Sequence, residues 1–207
     1  MSVTRARWSV VDLFSGAGGM SYGFHASPDF SVAGAADAQI GKPSTARGAL
    51  GCNASYCENI GVNPISTDLA TANPVEVCQA MGLPENGVTI LSACPPCTGF
   101  SRTLAENHLR DDSRNNLVGR IPGYVEVLQP EIVVMENARE LVMGRFSGHL
   151  HGLIDDLSAL GYRVSATTHF LNEFGLPQRR ERALIIAARQ PLPLRGLSEL
   201  WSGYRVS

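Results

Sequence analysis

Seven short β-branched apolar runs, bounded by Gly, Pro or Asp, alternate with longer stretches whose apolar residues recur at three and four spacing, and few folds accept that alternation. The runs fall at 8–13 (WSVVDL), 30–36 (FSVAGAA), 62–66 (VNPIS), 88–93 (VTILSA), 131–135 (EIVVM), 162–169 (YRVSATTH) and 183–188 (ALIIAA). The spacing predicts helices over 18–27, 73–81, 116–128 and 147–160, the last with Leu150, Leu153, Ile154, Leu157 and Leu160 on its apolar side. A βαβαβ order of this kind implies an α/β fold with a mostly parallel, doubly wound sheet and helices on both faces. Residues 37–60 and 94–115 do not fit the pattern, and connections of that length are usually functional. No composition break divides the first 189 residues, so 1–189 reads as one domain and 190–207, opening QPLPLRG, as the start of a linker.

A chain of 207 residues with 44% hydrophobic side chains can bury one sizeable core, which excludes disorder for most of its length. No apolar run approaches the roughly eighteen residues needed to cross a bilayer, and Asp12 interrupts the N-terminus before a signal-peptide core develops, so a cytoplasmic protein is expected. Five cysteines, an odd number, point to at least one free thiol and a reducing compartment. Sixteen Arg and one Lys against nineteen acidic residues leave a net charge of −2, without the overall signature of a nucleic-acid binder. The distribution is uneven, with six Arg against two Glu from residue 178 onward.

Four segments carry the chemistry. In DLFSGAGGMSYGF (12–24) a strand ends, glycines turn the chain and a helix begins, which lets a nucleotide-like ligand approach backbone N–H groups closely. An ordinary tight connection would use the same glycines, and the spacing is not the G-x-G-x-x-G of dinucleotide enzymes. Asp37 stands at the end of the second strand, where ribose hydroxyls are commonly held. Asp68, after the third strand, could receive an adenine amino group or simply form a turn. In ACPPCTGFS (93–101), the Pro-Pro pair presents Cys97 on a stiff turn after the fourth strand, as a nucleophile if a cation lowers its pKa. Cys94 and Cys97 also spell Cys-x-x-Cys, but a zinc site would need a second pair, and Cys94 is expected to be a bystander; no metal site is expected. EIVVMENARE (131–140) brings Glu136 and Asn137 to a strand end, where partial desolvation favours a proton-donating carboxyl, or where Asn137 caps a helix. FGLPQRRERALIIAA (174–188) places Gln178, Arg180 and Arg182 at period two, so that both guanidinium groups could converge on an anion or a base edge.

These four blocks, in this order and each at a strand end, resemble the DNA (cytosine-5)-methyltransferase family over about residues 8–189. The resemblance implies a Rossmann-like, S-adenosylmethionine-dependent sheet of seven strands, one antiparallel near the edge, as in enzymes of restriction–modification systems. It implies that Phe14, Ser15, Gly16, Gly18, Gly19, Asp37, Asp68 and Pro96 bind S-adenosyl-L-methionine. Cys97 would be the nucleophile, Glu136 the acid, Arg180 and Arg182 base and phosphate contacts, and Ser101, Asn137 and Gln178 further substrate contacts. The product would be cytosine methylated at carbon 5 in double-stranded DNA, through a covalent cysteine adduct to a flipped base.

Departures accompany the match. Thr98 and Ala138 stand where the family commonly has Gln and Val, the segment 38–57 does not match, and Ala38 cannot stack on an adenine ring. Nothing after the last strand resembles the family's target-recognition domain or its final helix. A partial chain or subunit that needs a second chain, or that self-associates, is therefore expected. Two other readings share the same residues: a non-catalytic binding module of this fold, and a tRNA cytosine-5 methyltransferase.

Overall fold

The structure is a computed structural model that describes residues 7–40, 51–83, 87–96, 113–143 and 147–192. Its strands form one seven-stranded sheet in the order β3-β2-β1-β4-β5-β7-β6. They are β1 (Trp8–Leu13), β2 (Phe30–Asp37), β3 (Ile65–Ser66), β4 (Ile90–Ala93), β5 (Ile132–Ala138), β6 (Arg163–Phe170) and β7 (Glu181–Ala188). The helices are α1 (Gly19–His25), α2 (Cys52–Ile60), α3 (Pro74–Ala80), α4 (Ile121–Leu128), α5 (Glu140–Met143) and α6 (Ser147–Ala159). By contacts the chain divides into two compact units, 1–95 with 120–133 and 96–119 with 134–207, and the division runs through β5.

In the first unit, β1 pairs in parallel with β2 on one side and β4 on the other, and β2 pairs in parallel with β3. Val10, Val11, Leu13, Ile90 and Leu91 are buried, as expected for strands covered on both faces, where apolar residues run on without alternation. α2 packs Tyr56 and Ile60 against Ala35, with Val32 and Val62 beside them. This helix lies inside the stretch 37–60 that the apolar spacing leaves unassigned. α3 starts where it should, with Pro74 in its first turn and the Asn73 side chain accepting the Val75 N–H at 2.9 Å. The predicted helix over 116–128 is instead a 3-10 segment, Ser113–Arg120, leading into α4. Arg120 donates to the carbonyls of Leu69 (3.1 Å) and Ala72 (2.7 Å), which fastens the turn after β3 to the start of α4.

In the second unit, β6 and β7 pair antiparallel from Arg163 opposite Ala188 to Phe170 opposite Glu181. α6 buries Leu150, Leu153 and Leu157, whereas Ile154 and Leu160 are only half-buried. β7 begins at Glu181, two residues before its apolar run, so Gln178 and Arg180 lie in the turn that precedes the strand. The expected period-two alignment of Gln178, Arg180 and Arg182 on one strand face is therefore corrected. No helix among the described residues is long and apolar enough to cross a membrane.

Candidate active site

The Gly-rich turn after β1 is built by backbone that most side chains disfavour. Phe14, Gly16 and Gly18 have φ of 56, 53 and 91°, and a non-glycine residue at Phe14 in this region marks a turn that its surroundings hold in place. Ser15 N–H donates to Ala36 O at 3.2 Å, and Gly16 N–H donates to Asp37 Oδ2 at 2.9 Å, so the end of β2 braces the turn. A Cβ built on Gly16 or Gly19 would meet nothing within 4 Å, whereas one on Gly18 would meet Ile60 Cγ1 and Tyr56 Cδ2 at 3.1 Å. Gly18 is thus the point where the turn rests on α2, and Gly16 faces open space.

Beneath the turn lies a buried polar chain that sequence reasoning missed. Asp12 is 1% exposed and accepts from Ser21 on one oxygen and from Ser92 (3.0 Å) on the other, and Ser21 Oγ lies 2.7 Å from Tyr56 Oη. Burial pushes the Asp12 carboxyl up to about 6, against the lowering effect of the two serines. The same burial raises the Tyr56 hydroxyl above its ordinary value. In the sequence, Asp12 reads only as the last polar residue of an apolar run, and its two partners, with the Tyr56 that extends the chain through Ser21, lie on other elements.

Asp37 and Asp68 leave the sheet at the same carboxyl edge, because β2 and β3 pair in parallel with Asp37 opposite Ser66. Asp68 is exposed, and its Oδ1 accepts the Ala70 N–H at 3.0 Å. Ser15 Oγ, in a side chain 8% exposed, has no hydrogen-bond partner, so one buried hydroxyl in the turn retains its bonding capacity. Open space over Gly16, two acids at one strand edge and an unsatisfied buried hydroxyl fit a nucleoside-bearing cofactor. Pro96 is exposed at the end of β4's extension, and Cys94, half-buried, lies with its Sγ 3.2 Å from Met20 Sδ. Cys97 and Ser101 lie outside the described residues. Among the described residues no cluster of three or more His, Cys, Asp or Glu could hold a metal ion.

The second unit brings together two of the expected residues. Arg182 Nε lies 2.6 Å from Glu136 Oε1, with side-chain exposures of 18% and 35%. The contact is an ion pair; the N–H of Nε is not aligned along it, so Nε makes no hydrogen bond. Arg182 also donates from Nη1 to Glu181 O at 2.7 Å. Glu136 and Asn137 alternate across β5, so Asn137 points to the opposite face, where it is fully buried and accepts the Ala138 N–H at 2.8 Å. It stands within the strand, three residues before α5 begins. Gln178 and Arg180 are exposed, and among the described residues Arg180 makes no ion pair. The pairing of Arg139 Nη1 with Glu181 Oε2 at 2.6 Å was not foreseen. It joins the same two strand ends as the Glu136–Arg182 contact, with the acid and the base exchanged between them.

The family model for C-5 cytosine-specific DNA methylases matches residues 8–202. The chain is similar to the type II methyltransferases M.XorII of Xanthomonas oryzae (31% identity over 186 residues, 89% of this chain and 41% of that protein) and M.AgeI of Thalassovita gelatinovora (32% over 179 residues, 86% and 39%). It is also similar to the type II methyltransferase M.AquIA of a Picosynechococcus strain, at 30% identity over 189 residues, covering 87% of this chain and 71% of that protein. The chain thus spans about two fifths of the length of the first two relatives. Among solved structures it shares its fold with an E. coli prophage-encoded protein assigned as a DNA modification methyltransferase, at TM-score 0.72 and 24% identity over 97% of this chain and 52% of that one. The S. pombe Dnmt2 methyltransferase superposes at TM-score 0.65 and 19% identity, covering 95% and 55%.

Proposed function

The chain belongs to the C-5 cytosine-specific DNA methylase family, and on that premise we propose that it carries the methyl-transfer machinery of a DNA cytosine-5 methyltransferase. The observation that carries this reading is the half-buried contact of Glu136 with Arg182, an acid on one strand end held by a guanidinium on another. S-adenosyl-L-methionine would supply an electrophilic methyl group on its sulfonium sulfur. Phe14, Ser15, Gly16, Gly18 and Gly19 would cradle it in the turn, Asp37 would accept its ribose hydroxyls, Asp68 its adenine amino group, and Pro96 would line it.

Carbon 5 of cytosine is a poor nucleophile until a group adds at carbon 6, and Cys97 as thiolate would make that bond to a base extruded from its stack. Glu136 would hydrogen-bond or protonate ring nitrogen 3, taking up the charge that addition pushes onto the ring. Arg182 keeps Glu136 in place for that role, while Arg180, Gln178, Ser101 and Asn137 would contact the base and its flanking strand directly or by shaping the strand end. Carbon 5 then takes the methyl group, its proton leaves to a base, and the Cys97 bond breaks to restore the ring. Double-stranded DNA is the substrate in this reading, and a second chain that carries a target-recognition region, or self-association, completes its recognition.

The test is transfer of labelled methyl from S-adenosylmethionine to duplex DNA, with the recognition region supplied, followed by identification of the methylated base. Label at carbon 5 of cytosine that falls at least about a hundredfold in Cys97→Ser and in Glu136→Gln is the expected result. Cofactor binding without transfer to DNA would leave a binding module, and transfer to tRNA alone would change the substrate class; either result ends the proposal.

A further inference from the structure

The acid assigned to the ribose does not hold itself in place. Asp37 Oδ1 accepts the Gln39 N–H at 2.6 Å, and the Cys52 thiol points to the same oxygen at 3.4 Å. That N–H reaches back to the carboxylate two residues earlier, and Gln39 itself has its backbone in the left-handed region, φ 55°. Such a conformation is disfavoured for a non-glycine residue and persists only where other contacts fix it.

The side chain supplies those contacts. Its Oε1 accepts the Asn53 N–H at 3.2 Å, in the first turn of α2, and its Nε2 donates to Ser66 Oγ at 3.3 Å, at the end of β3. α2 has Gly51 at its N-cap and no side-chain cap of its own, so Gln39 satisfies one of its open N–H groups from outside the helix. One residue therefore ties the end of β2 to α2 and to β3, and does so at the carboxylate. Burial and the neighbouring Asp37 raise the Cys52 thiol to about 11, so it remains a donor to Asp37 at neutral pH.

We propose that Gln39 is a positioning residue for the cofactor: its amide strut between Asn53 and Ser66 holds the left-handed turn whose N–H aims Asp37 at the ribose hydroxyls. The proposal deepens the functional reading above and rests on it, since it takes Asp37 as the ribose acceptor. Ala38, the residue between Asp37 and Gln39, is too small to stack on adenine, so the placement of the neighbouring carboxylate matters correspondingly.

The experiment measures, by calorimetry on the full chain, binding of S-adenosylhomocysteine and of its 2′-deoxy analogue to the wild type, Asp37→Ala, Gln39→Gly and Gln39→Asn. Glycine and asparagine both accept the left-handed backbone, but glycine lacks the amide and asparagine is one methylene too short to span Asn53 and Ser66. The wild type should prefer the ribonucleoside at least tenfold, and Asp37→Ala should abolish that preference. Gln39→Gly and Gln39→Asn should reduce the preference at least threefold while the deoxy analogue binds as before, a ratio that a general loosening of the fold would not move. If both Gln39 variants keep the wild-type ratio while Asp37→Ala loses it, the strut is overturned and the ribose assignment stands. If Asp37→Ala keeps the wild-type ratio, the ribose assignment itself falls and the strut falls with it.

Discussion

Asp12 shows how much one residue beneath the turn can control. Its carboxyl has no water to stabilise a charge, and its two serine partners only partly replace that water, so burial sets its value near 6 against 3.8 in an open chain. A group whose folded value lies above its unfolded value binds its proton more tightly in the folded state. Its contribution to stability is therefore fully present below about pH 4 and is lost as pH rises through about 6, a change of about 3 kcal/mol for a shift of this size. Asn at this position has the same shape, with an oxygen to accept from Ser92 and an amide to donate to Ser21, and it never ionises. The stability of Asp12→Asn relative to wild type should accordingly rise by a few kcal/mol between pH 4 and pH 7, measured as urea midpoints at each pH. A difference between the two proteins that stays constant across that range would show that Asp12 is solvated in the folded state.

The glycines of the turn divide by what stands behind them, and this can be tested at the level of elements. Gly18 combines φ 91° with Tyr56 and Ile60 at 3.1 Å from any added Cβ, so Gly18→Ala forces α1 and α2 apart and should cost roughly 2 kcal/mol. Gly19, the first residue of α1, has nothing within 4 Å, and Gly19→Ala should be neutral or stabilising by a few tenths of a kcal/mol. Thermal melts of the two variants decide it, and equal destabilisation would mean that the turn does not rest on α2. Most elements were legible because their apolar runs are buried on both sides, as in β1, β2 and β4. α2 was not legible, since of its nine residues only Tyr56 and Ile60 are buried and the segment before it is rich in Gly and Pro. The apolar runs stop short of the C-terminal end of β5 and of the start of β7 for a related reason. Glu136, Glu181 and Arg182 are charged residues within strands, tolerated there because they neutralise one another and Arg139, which no apolar pattern records. At the site, residue types at strand ends could be read from one segment at a time. Asp12, Gln39 and the Arg139–Glu181 pair could not, because each acts through partners that only the folded chain supplies.

For the whole molecule the relevant quantity is charge, and the structure separates arginines that are available from those that are committed. Residues from 178 onward carry six Arg against two Glu, while the chain as a whole is at −2, so attraction to a polyanion is confined to a small part of the sequence. Within that part, Arg182 is held against Glu136, and Arg180 is exposed with no ion pair among the described residues. Each phosphate neutralised steepens the dependence of log affinity on log salt by about 0.9, so residues 1–207 should bind duplex DNA with a slope no steeper than about −4. Arg180→Ala should make that slope shallower by about 1 and weaken binding to all sequences alike. Arg182→Ala should leave the slope nearly unchanged while removing methyl transfer, because its charge is already spent on Glu136. Fluorescence anisotropy over a salt series, with transfer assayed in parallel, distinguishes the two. Equal changes in slope for both variants would show that Arg182 releases Glu136 to contact the backbone, and a slope far steeper than −4 in the wild type would place a basic DNA-binding surface where the charge distribution does not provide one.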